Sequence, residues 1–324
     1  MGSNQNFVDA KHRKNDEFYT LVPDVAVEVQ CYEKQLHGKS ILCNCNDSEA
    51  SAFWLYLSEQ FTQLSLKKLV AVKYGKPAYK LIMTETGRIT KTFLHGDGDF
   101  RSAECMKLLT ESDVVISNPP FSLFREYIGM LLKARKDFLI IGSMNMLACH
   151  DIFPYFKAEV VHLGYHDVKC FSIKDGETRN FGNVLWYTTL HKELPDTVLR
   201  LSRYYVPDQY PHYDNYPAID VCKVADIPCD YTGMMGVPIT YLKKHNKEQF
   251  RIIGLTQGND GMSKRYENLR QHRPDNTETN DSKANTSAVL LLKEKPEGIY
   301  YTASNAEGYL VCRYVRVLIQ RVLY

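Results

Sequence analysis

The sequence contains no apolar run of membrane-spanning length, and its N-terminal residues are polar and charged, unlike the apolar core of a signal peptide. It also lacks the paired Cys-x-x-Cys spacing of zinc and disulfide frameworks, because its 9 cysteines are scattered and only Cys43 and Cys45 lie close together. The formal net charge is only +2, so a face for a polyanion would need local segregation of charge. We therefore expect a soluble cytoplasmic protein without bound metal, whose cysteines are reduced and mostly buried.

Length and composition are those of a globular protein, with 324 residues, 44% of them hydrophobic and 24% charged. This length allows two domains or one decorated α/β domain. Up to about Ile152, strand-like apolar runs alternate with helical segments, which predicts a parallel, doubly wound sheet. Two later strands near Leu163 and Leu185 suit an antiparallel edge. Beyond about Leu194 the chain becomes aromatic and Pro-rich, so we predict one domain over 1–195 and another over 196–324.

One stretch is distinctive, because the β-branched run Val114–Ile116 leads into an Asn-Pro-Pro-Phe motif at residues 118–121. The run predicts a buried strand. Consecutive prolines cannot donate hydrogen bonds within a sheet, so the strand must stop at Asn118. A residue before proline is extended, which leaves the Asn118 side chain at the carboxyl end of the strand. Ligands of open α/β sheets bind at that end.

The motif suits methyl transfer to an exocyclic amine, a weak nucleophile whose lone pair is conjugated into the ring. Hydrogen bonds from the amine to the Asn118 side-chain oxygen and the Pro119 carbonyl would localise that lone pair toward an electrophilic methyl group. Catalysis would then rest on positioning and electrostatics. Pro120 completes the motif, and Phe121 can stack on the planar ring. The motif resembles the signature of S-adenosylmethionine-dependent amino-methyltransferases, most of which act on adenine N6. The simpler interpretation is a strand that ends in an incidental turn.

The stretch Phe18-Tyr19-Thr20, shortly before Pro23, has two interpretations. Thr20 or Asp24 could cap a helix that follows. Alternatively, the three residues line a cofactor pocket. A Tyr-Thr pair before a proline and a helix resembles the N-terminal cofactor motif of these methyltransferases.

The first long strand, from Ser40, ends in a polar stretch without glycine. This departs from a generic Gly-rich cofactor loop, although Asn can adopt left-handed backbone angles. The stretch resembles the cofactor-binding stretch of EcoRI-type adenine methyltransferases; its members are Cys43, Asn44, Cys45, Asn46 and Asp47. No acid ends the second strand, so the ribose ligand stays open between Asp47 and backbone groups.

Two Gly-Asp units precede a predicted helix over 102–110 and form a tight turn that carries Asp97 and Asp99. A capped turn explains one of these two carboxylates. The resemblance implies that Asp99 accepts a hydrogen bond from the cofactor adenine amine and that Phe100 packs beside the ring. We count Asp97 with them as a cofactor-binding residue.

The segment 258–287 has few apolar residues and is rich in basic and amide side chains. So long a polar loop is either disordered or a binding element. Arg and Asn read base edges, and Lys and Arg neutralise phosphates. The candidate DNA contacts are Lys264, Arg265, Arg270 and Arg273. The acidic residues interspersed in this segment favour the alternative, a surface loop that does not bind DNA.

In chain order, five stretches resemble EcoRI-type DNA adenine-N6 methyltransferases. They are residues 16–20, 43–47, 96–101, 118–121 and 235–240. The resemblance implies an α/β fold: a Rossmann-like class I methyltransferase sheet with a C-terminal target-recognition region. It further implies S-adenosylmethionine as methyl donor, duplex DNA as substrate and extrusion of the target adenine. A monomeric working unit is implied as well, within a restriction–modification system or as an orphan or phage enzyme.

Other functions stay open on the sequence. Enzymes that methylate adenine in RNA or glutamine amides in proteins share the Asn-Pro-Pro-aromatic motif. The missing glycines also allow a non-catalytic DNA-binding protein with a decayed cofactor loop.

Overall fold

Four apolar runs form the parallel centre of a nine-stranded sheet. The computed structural model describes residues 19–46, 49–172, 178–192, 198–257, 261–275 and 277–322. The strands of this sheet are β1 (Tyr19–Thr20), β2 (Ser40–Asn46), β3 (Lys68–Lys73), β4 (Tyr79–Thr84), β5 (Ile89–Phe93), β6 (Val114–Ser117), β7 (Asp137–Ser143), β8 (His162–Ser172) and β9 (Thr178–Thr188). Their order across the sheet is β1-β8-β9-β7-β6-β2-β3-β4-β5.

Parallel pairing is confined to the middle of this sheet, where it joins β3, β2, β6 and β7. The strands on both sides are antiparallel, including β8 and β9. Consecutive parallel strands need crossover connections, usually helices, because the end of one strand and the start of the next lie at opposite ends of the sheet. The predicted α/β architecture is therefore confirmed.

Five of the described helices belong to the same compact unit as this sheet. The described helices are α1 (Val22–Gln30), α2 (Glu33–Leu36), α3 (Ala52–Glu59), α4 (Ala103–Thr110), α5 (Phe124–Lys133) and α6 (Phe153–Lys157). Side chains of a strand alternate between the faces of a sheet. On one face, Ile41 and Ile116 join a buried core with Val25 of α1 and Leu57 of α3. The intervening residues of these strands, such as Val115, are buried on the opposite face of the sheet.

Helix starts agree only partly with the sequence. α4 begins where predicted, because the Ser102 hydroxyl accepts the Cys105 N–H at 3.2 Å. The expectation that Thr20 or Asp24 caps a helix is wrong. Thr20 lies in β1, and α1 begins after Leu21, whose side chain makes no capping hydrogen bond.

The chain divides into two compact units. The first unit comprises Met1–Met146 and Ala158–Glu193, and the second comprises Leu147–Lys157 and Leu194–Tyr324. α6 therefore belongs to the second unit, where Phe153 joins a buried core with Ile219 and Phe250. A domain boundary after residue 195, with a separate role for each part, stays a prediction.

The second unit contains two antiparallel-rich sheets. One has four strands in the order β10-β11-β18-β12, and the other has five in the order β14-β13-β16-β17-β15. These strands are β10 (Ala218–Asp220), β11 (Met234–Pro238), β12 (Phe250–Leu255), β13 (Arg270–His272), β14 (Glu278–Thr279), β15 (Val289–Leu292), β16 (Tyr300–Ala303), β17 (Ala306–Cys312) and β18 (Arg316–Arg321). The polar segment predicted as a loop over 258–287 thus contributes β13 and β14 to a sheet.

Other expectations concern cysteines, metals and membranes. Within the described residues the cysteines are free thiols, and of these only Cys43 and Cys105 are buried, so the expectation of mostly buried cysteines is wrong. No group of three or more His, Cys, Asp or Glu side chains suited to a metal ion occurs in the described part of the chain. None of the described helices is long and apolar enough to cross a membrane.

Candidate active site

Asn118 lies at the carboxyl end of the parallel centre. β6 ends at Ser117, and the chain continues through buried Asn118 and Pro119 before the 3-10 turn Phe121–Leu123. The predicted end of the strand is therefore confirmed. Pro120 has φ −54° and ψ 129°, an extended conformation that the pyrrolidine ring favours. The prolines thus hold a polar amide at the edge where ligands of parallel sheets bind.

A contact between distant parts of the chain orients the Asn118 amide. Its Nδ2 donates a hydrogen bond of 3.3 Å to Oγ1 of Thr20, and both residues are buried. Thr20 reaches this place from β1, where it pairs with Phe171 of β8. Three strands separate β1 from β6 in the sheet order. The hydroxyl accepts a hydrogen from the nitrogen end of the amide, and this contact sets the orientation of the amide plane.

The Phe121 ring is held by a second aromatic ring. Its plane is perpendicular to that of Phe171, with the ring centroids 6.2 Å apart. Phe171 is fully buried and Phe121 partly buried. The edge-to-face contact is a preferred arrangement for aromatic pairs. Phe171 is thus a core residue, and its packing sets the orientation of Phe121.

The first residues of the predicted cofactor stretch lie within β2 rather than after it, and their side chains face opposite sides of the sheet. The Cys43 side chain belongs to the buried core, and burial raises the pKa of its thiol. Asn44 is buried on the other face; the Tyr127 hydroxyl donates to its side-chain oxygen and the Ser117 hydroxyl donates to its carbonyl. These contacts join β2, β6 and α5 beside Asn118. The remaining predicted members, the side chains of Cys45 and Asn46 and all of Asp47, lie outside the described residues, as does Phe18.

The turn before α4 approaches the end of β3. The Asp97 carbonyl accepts the Gly75 N–H at 2.8 Å. Gly98 has φ +78°, and a Cβ there would lie 2.5 Å from the Lys73 carbonyl oxygen, so only glycine fits. The Oδ1 atom of Asp97 accepts the Asp99 N–H at 3.0 Å. The predicted tight turn is therefore confirmed, and it stands beside the carboxyl end of a central strand.

Asp99 is paired with Arg101 through both carboxylate oxygens. Arg101 Nη2 lies 2.6 Å from Oδ2, and Nε lies 2.8 Å from Oδ1. These hydrogen bonds from Arg101 hold the pKa of Asp99 below its usual range. Arg101 also contacts Glu126 of α5 at 3.4 Å. The Asp99 side chain therefore stays ionised at neutral pH, with a cation already bound to it.

Phe100 is part of the packing around the same turn. It is buried, and its ring meets the Tyr127 ring edge-on with centroids 5.1 Å apart. Tyr127 in turn donates to Asn44. Tyr127 lies on the buried, mostly apolar face of α5, and the sequence did not reveal its hydroxyl as a link between the two predicted cofactor motifs. A tyrosine on such a face carries no signal that distinguishes this role from core packing.

The predicted DNA contacts lie in the second unit. Lys264 Nζ forms an ion pair of 3.0 Å with Asp214 Oδ2, so its charge is partly neutralised. The Arg270 guanidinium donates to the Asn280 side-chain oxygen. Arg265, Arg270 and Arg273 are exposed. Their contact with DNA stays a prediction.

The chain matches known proteins over most of its length. The family model described as adenine-specific methyltransferase EcoRI matches residues 6–322. The Type II methyltransferase M.EcoRI of Escherichia coli is 38% identical over 295 residues, which cover 78% of this chain and 89% of that protein. M.MpnI of Mycoplasma pneumoniae is 38% identical over 269 residues, with 76% and 84% covered. M.MgeORF184P of Mycoplasma genitalium is 36% identical over 270 residues, with 76% and 85% covered. No solved structure matches the chain.

Proposed function

Because this chain belongs to the EcoRI family of adenine-specific methyltransferases, we propose that it methylates the N6 amine of an adenine flipped out of duplex DNA. S-adenosylmethionine is the methyl donor in this proposal. The observation that carries the proposal is the buried Asn118 amide at the carboxyl end of β6, held by Thr20. An amide oxygen and a backbone carbonyl at that point are acceptors for the two hydrogens of an exocyclic amine.

The described residues fit a methyl donor that carries an adenosine group. Carboxylates at Asp97 and Asp99, which stand beside the end of β3, are acceptors of the kind that bind amines and hydroxyls. Phe100 and Tyr127 form the apolar packing under that turn. Asp97 is the more available acceptor, since both oxygens of Asp99 contact Arg101. Bound there, S-adenosylmethionine supplies an electrophilic methyl group.

Asn118 and Pro119 act on the amine nucleophile. Each accepts one N–H of the adenine amine, Asn118 through its side-chain oxygen and Pro119 through its carbonyl. This draws the nitrogen lone pair out of conjugation with the ring and toward the methyl group. The donor would supply the methyl group to this nitrogen, which would release one proton to water. Preorganised acceptors accomplish this without reorganisation during the reaction.

Phe121 and Thr20 position the reacting groups. In the proposal, Phe121 stacks on the flipped base, with its ring orientation set by Phe171. Thr20 holds the Asn118 amide so that its oxygen, rather than its nitrogen, meets the adenine amine. Both functions reduce the conformational freedom that would otherwise be lost on reaching the transition state.

The second unit supplies duplex recognition in this proposal. Its exposed arginines Arg265, Arg270 and Arg273, together with Lys264, are suited to phosphates and base edges. We place the enzyme, as a monomer, in the cytoplasm of a bacterial or phage-infected cell, where DNA and the methyl donor occur together. It serves there in a restriction–modification system or as an orphan enzyme.

Modification mapping tests the proposal directly. The protein is expressed in a host without DNA methylation, and N6-methyladenine is located in the genome at single-base resolution. We expect one short motif to be modified, and an Asn118→Ala variant to leave it unmodified. Unmodified DNA from cells with folded, cofactor-binding protein would refute the proposal and direct the search to RNA or protein substrates.

A further inference from the structure

The turn between β17 and β18 carries an unusually exposed aromatic ring. It consists of Arg313, Tyr314 and Val315 and joins the two sheets of the second unit. Tyr314 is 84% exposed, the largest value among the large hydrophobic side chains of the described residues. One exposed ring is common on a protein surface, so the groups around it decide its meaning.

A buried carboxylate organises the arginines on both sides of Tyr314. Asp220, at the end of β10, has a fully buried side chain, and its Oδ2 lies 2.8 Å from Arg313 Nε. Its Oδ1 lies 3.3 Å from Arg316 Nε and accepts the Tyr213 hydroxyl at 2.6 Å. One negative charge thus holds two positive charges, and the cluster retains a net charge of +1.

Backbone hydrogen bonds hold the same turn. The Arg313 N–H donates to the Ala288 carbonyl at 2.8 Å, and the Arg316 N–H donates to Thr256 Oγ1 at 2.8 Å. The turn is therefore held at both ends, by the residue just before β15 on one side and by the residue just after β12 on the other. Its side chains are presented from a rigid support, which lowers the entropy cost of binding a partner.

Arg313 is the accessible cation of the pair. Its side chain is 34% exposed, whereas that of Arg316 is 13% exposed. Arg313 Nε lies close to Asp220 as an ion pair without a hydrogen bond, and a guanidinium carries four N–H donors on its two Nη atoms. Those donors match the oxygens of a phosphate in a planar, bidentate arrangement. Arg316 instead serves to hold the turn.

We propose that Arg313 and Tyr314 form a DNA-contact element, in which Arg313 binds a backbone phosphate and the Tyr314 ring packs on a base or sugar. The inference rests on the proposed function, since it names residues that bind the same duplex substrate. A retained positive charge gives complementarity to DNA, and an exposed aromatic face gives a surface on which a base can stack. Sequence reasoning did not identify these residues, because they lie outside the amide-rich segment.

The chain offers a matched control in Arg203 and Tyr204, the same dipeptide in the same unit. Tyr204 is 70% exposed. The Arg203 side chain is 66% exposed, and its Nε lies 3.7 Å from Oδ1 of Asp226, a partly exposed acid. If exposure and charge alone governed DNA binding, the two dipeptides would contribute equally. The backbone is hydrogen-bonded on both sides of the control dipeptide as well. The Arg203 carbonyl accepts the Cys229 N–H. The Tyr205 N–H donates to Asp230. The difference is the buried carboxylate beside Arg313, which predicts that the two dipeptides contribute unequally.

The test uses the full-length protein and fluorescently labelled duplex fragments of genomic DNA from a methylation-free host. Dissociation constants are measured at several salt concentrations for Tyr314→Ala, Tyr314→Phe, Arg313→Gln, Tyr204→Ala and Arg203→Gln. We expect Tyr314→Ala to weaken binding about tenfold at an unchanged salt slope, with Tyr314→Phe close to the parent. Arg313→Gln should reduce the slope by about 0.9, which corresponds to one phosphate. Both control variants should stay within about twofold.

The outcomes separate this inference from the proposed function. DNA binding that is unchanged in Tyr314→Ala, or lowered equally in Tyr204→Ala, would overturn the DNA-contact element even if the parent methylates DNA. A parent that binds DNA and shows the expected weakening but modifies no adenine would support the element and refute the proposed reaction. Because Tyr314 is almost fully exposed, its replacement leaves the fold intact, and thermal unfolding of each variant verifies this.

Discussion

The site around Asn118, at the carboxyl end of β6, uses polar side chains in the opposite way to the polar, basic segment. The basic segment comprises residues 261–275 and 277–285, which lie within the stretch predicted over 258–287. At the carboxyl end of β6, Asn118 is buried and uncharged, and it is hydrogen-bonded to Thr20, which is also buried and uncharged. In the basic segment, cationic side chains are exposed or paired at the surface, as Lys264 is with Asp214. A buried pair keeps one geometry, whereas a long exposed cation keeps its rotamer freedom. The first arrangement suits the placement of a reacting atom, and the second suits attraction of a polyanion.

The sharpest test of this comparison is Asn118→Ala. Loss of the amide removes an acceptor needed only as the amine becomes nucleophilic, so we expect the rate of methyl transfer to fall by about two to three orders of magnitude. Cofactor binding by calorimetry and the thermal unfolding midpoint should change little. A variant that turns over at the parental rate would show that the carboxyl end of β6 is not the reaction site.

Substitutions of Thr20 distinguish a role in positioning Asn118 from a role in cofactor binding. Thr20→Val keeps the shape of the side chain but leaves the buried Asn118 N–H without this acceptor. We expect kcat to fall about tenfold, equivalent to roughly 1.4 kcal/mol, while KM for S-adenosylmethionine stays within about twofold. Thr20→Ser retains the hydroxyl and should restore kcat. A raised KM with unchanged kcat would instead support the cofactor-pocket role.

The basic segment should respond through charge rather than geometry. Replacement of Arg265, Arg270 and Arg273 together by Ala should weaken DNA binding and lower the salt slope by up to about 0.9 for each phosphate that is no longer neutralised. Lys264→Ala is the comparison variant, and its effect on the slope should be smaller because Lys264 is already paired with Asp214. If the salt dependence of DNA binding is the same in all variants and in the parent, the segment is a surface region that does not contact DNA.

The smallest expected effect concerns the ion pair between Asp99 and Arg101. The pKa of Asp99 is lowered in the folded protein, so the pair stabilises the fold above the usual aspartate range, and this contribution is lost as pH falls through the folded pKa. Wild-type protein should therefore lose more unfolding free energy than Asp99→Asn between pH 7 and pH 3. The difference should be below about 1 kcal/mol, since the pair is partly exposed. Urea unfolding at both pH values measures it, and identical pH dependence would argue against the pair.

Local patterns were sufficient for much of the fold. The run before Asn118 predicted a buried strand because prolines cannot continue a ladder, and Ser102 marked the start of α4 because its hydroxyl can cap a helix. The polar segment over 258–287 was less predictable. Its composition indicates a loop, yet β13 pairs with β16, and that pairing depends on a partner about thirty residues away.

Proline geometry and β-branched runs act within a few residues, so local sequence is enough to predict an amide at the carboxyl end of a buried strand, followed by an aromatic ring. The contacts of Thr20 with Asn118, of Phe171 with Phe121, and of Asp220 with Arg313 and Arg316 arise only when the chain folds. Each of these contacts joins residues about fifty or more positions apart. Such contacts depend on strand order and register, which the packing of the whole sheet sets and no local pattern encodes.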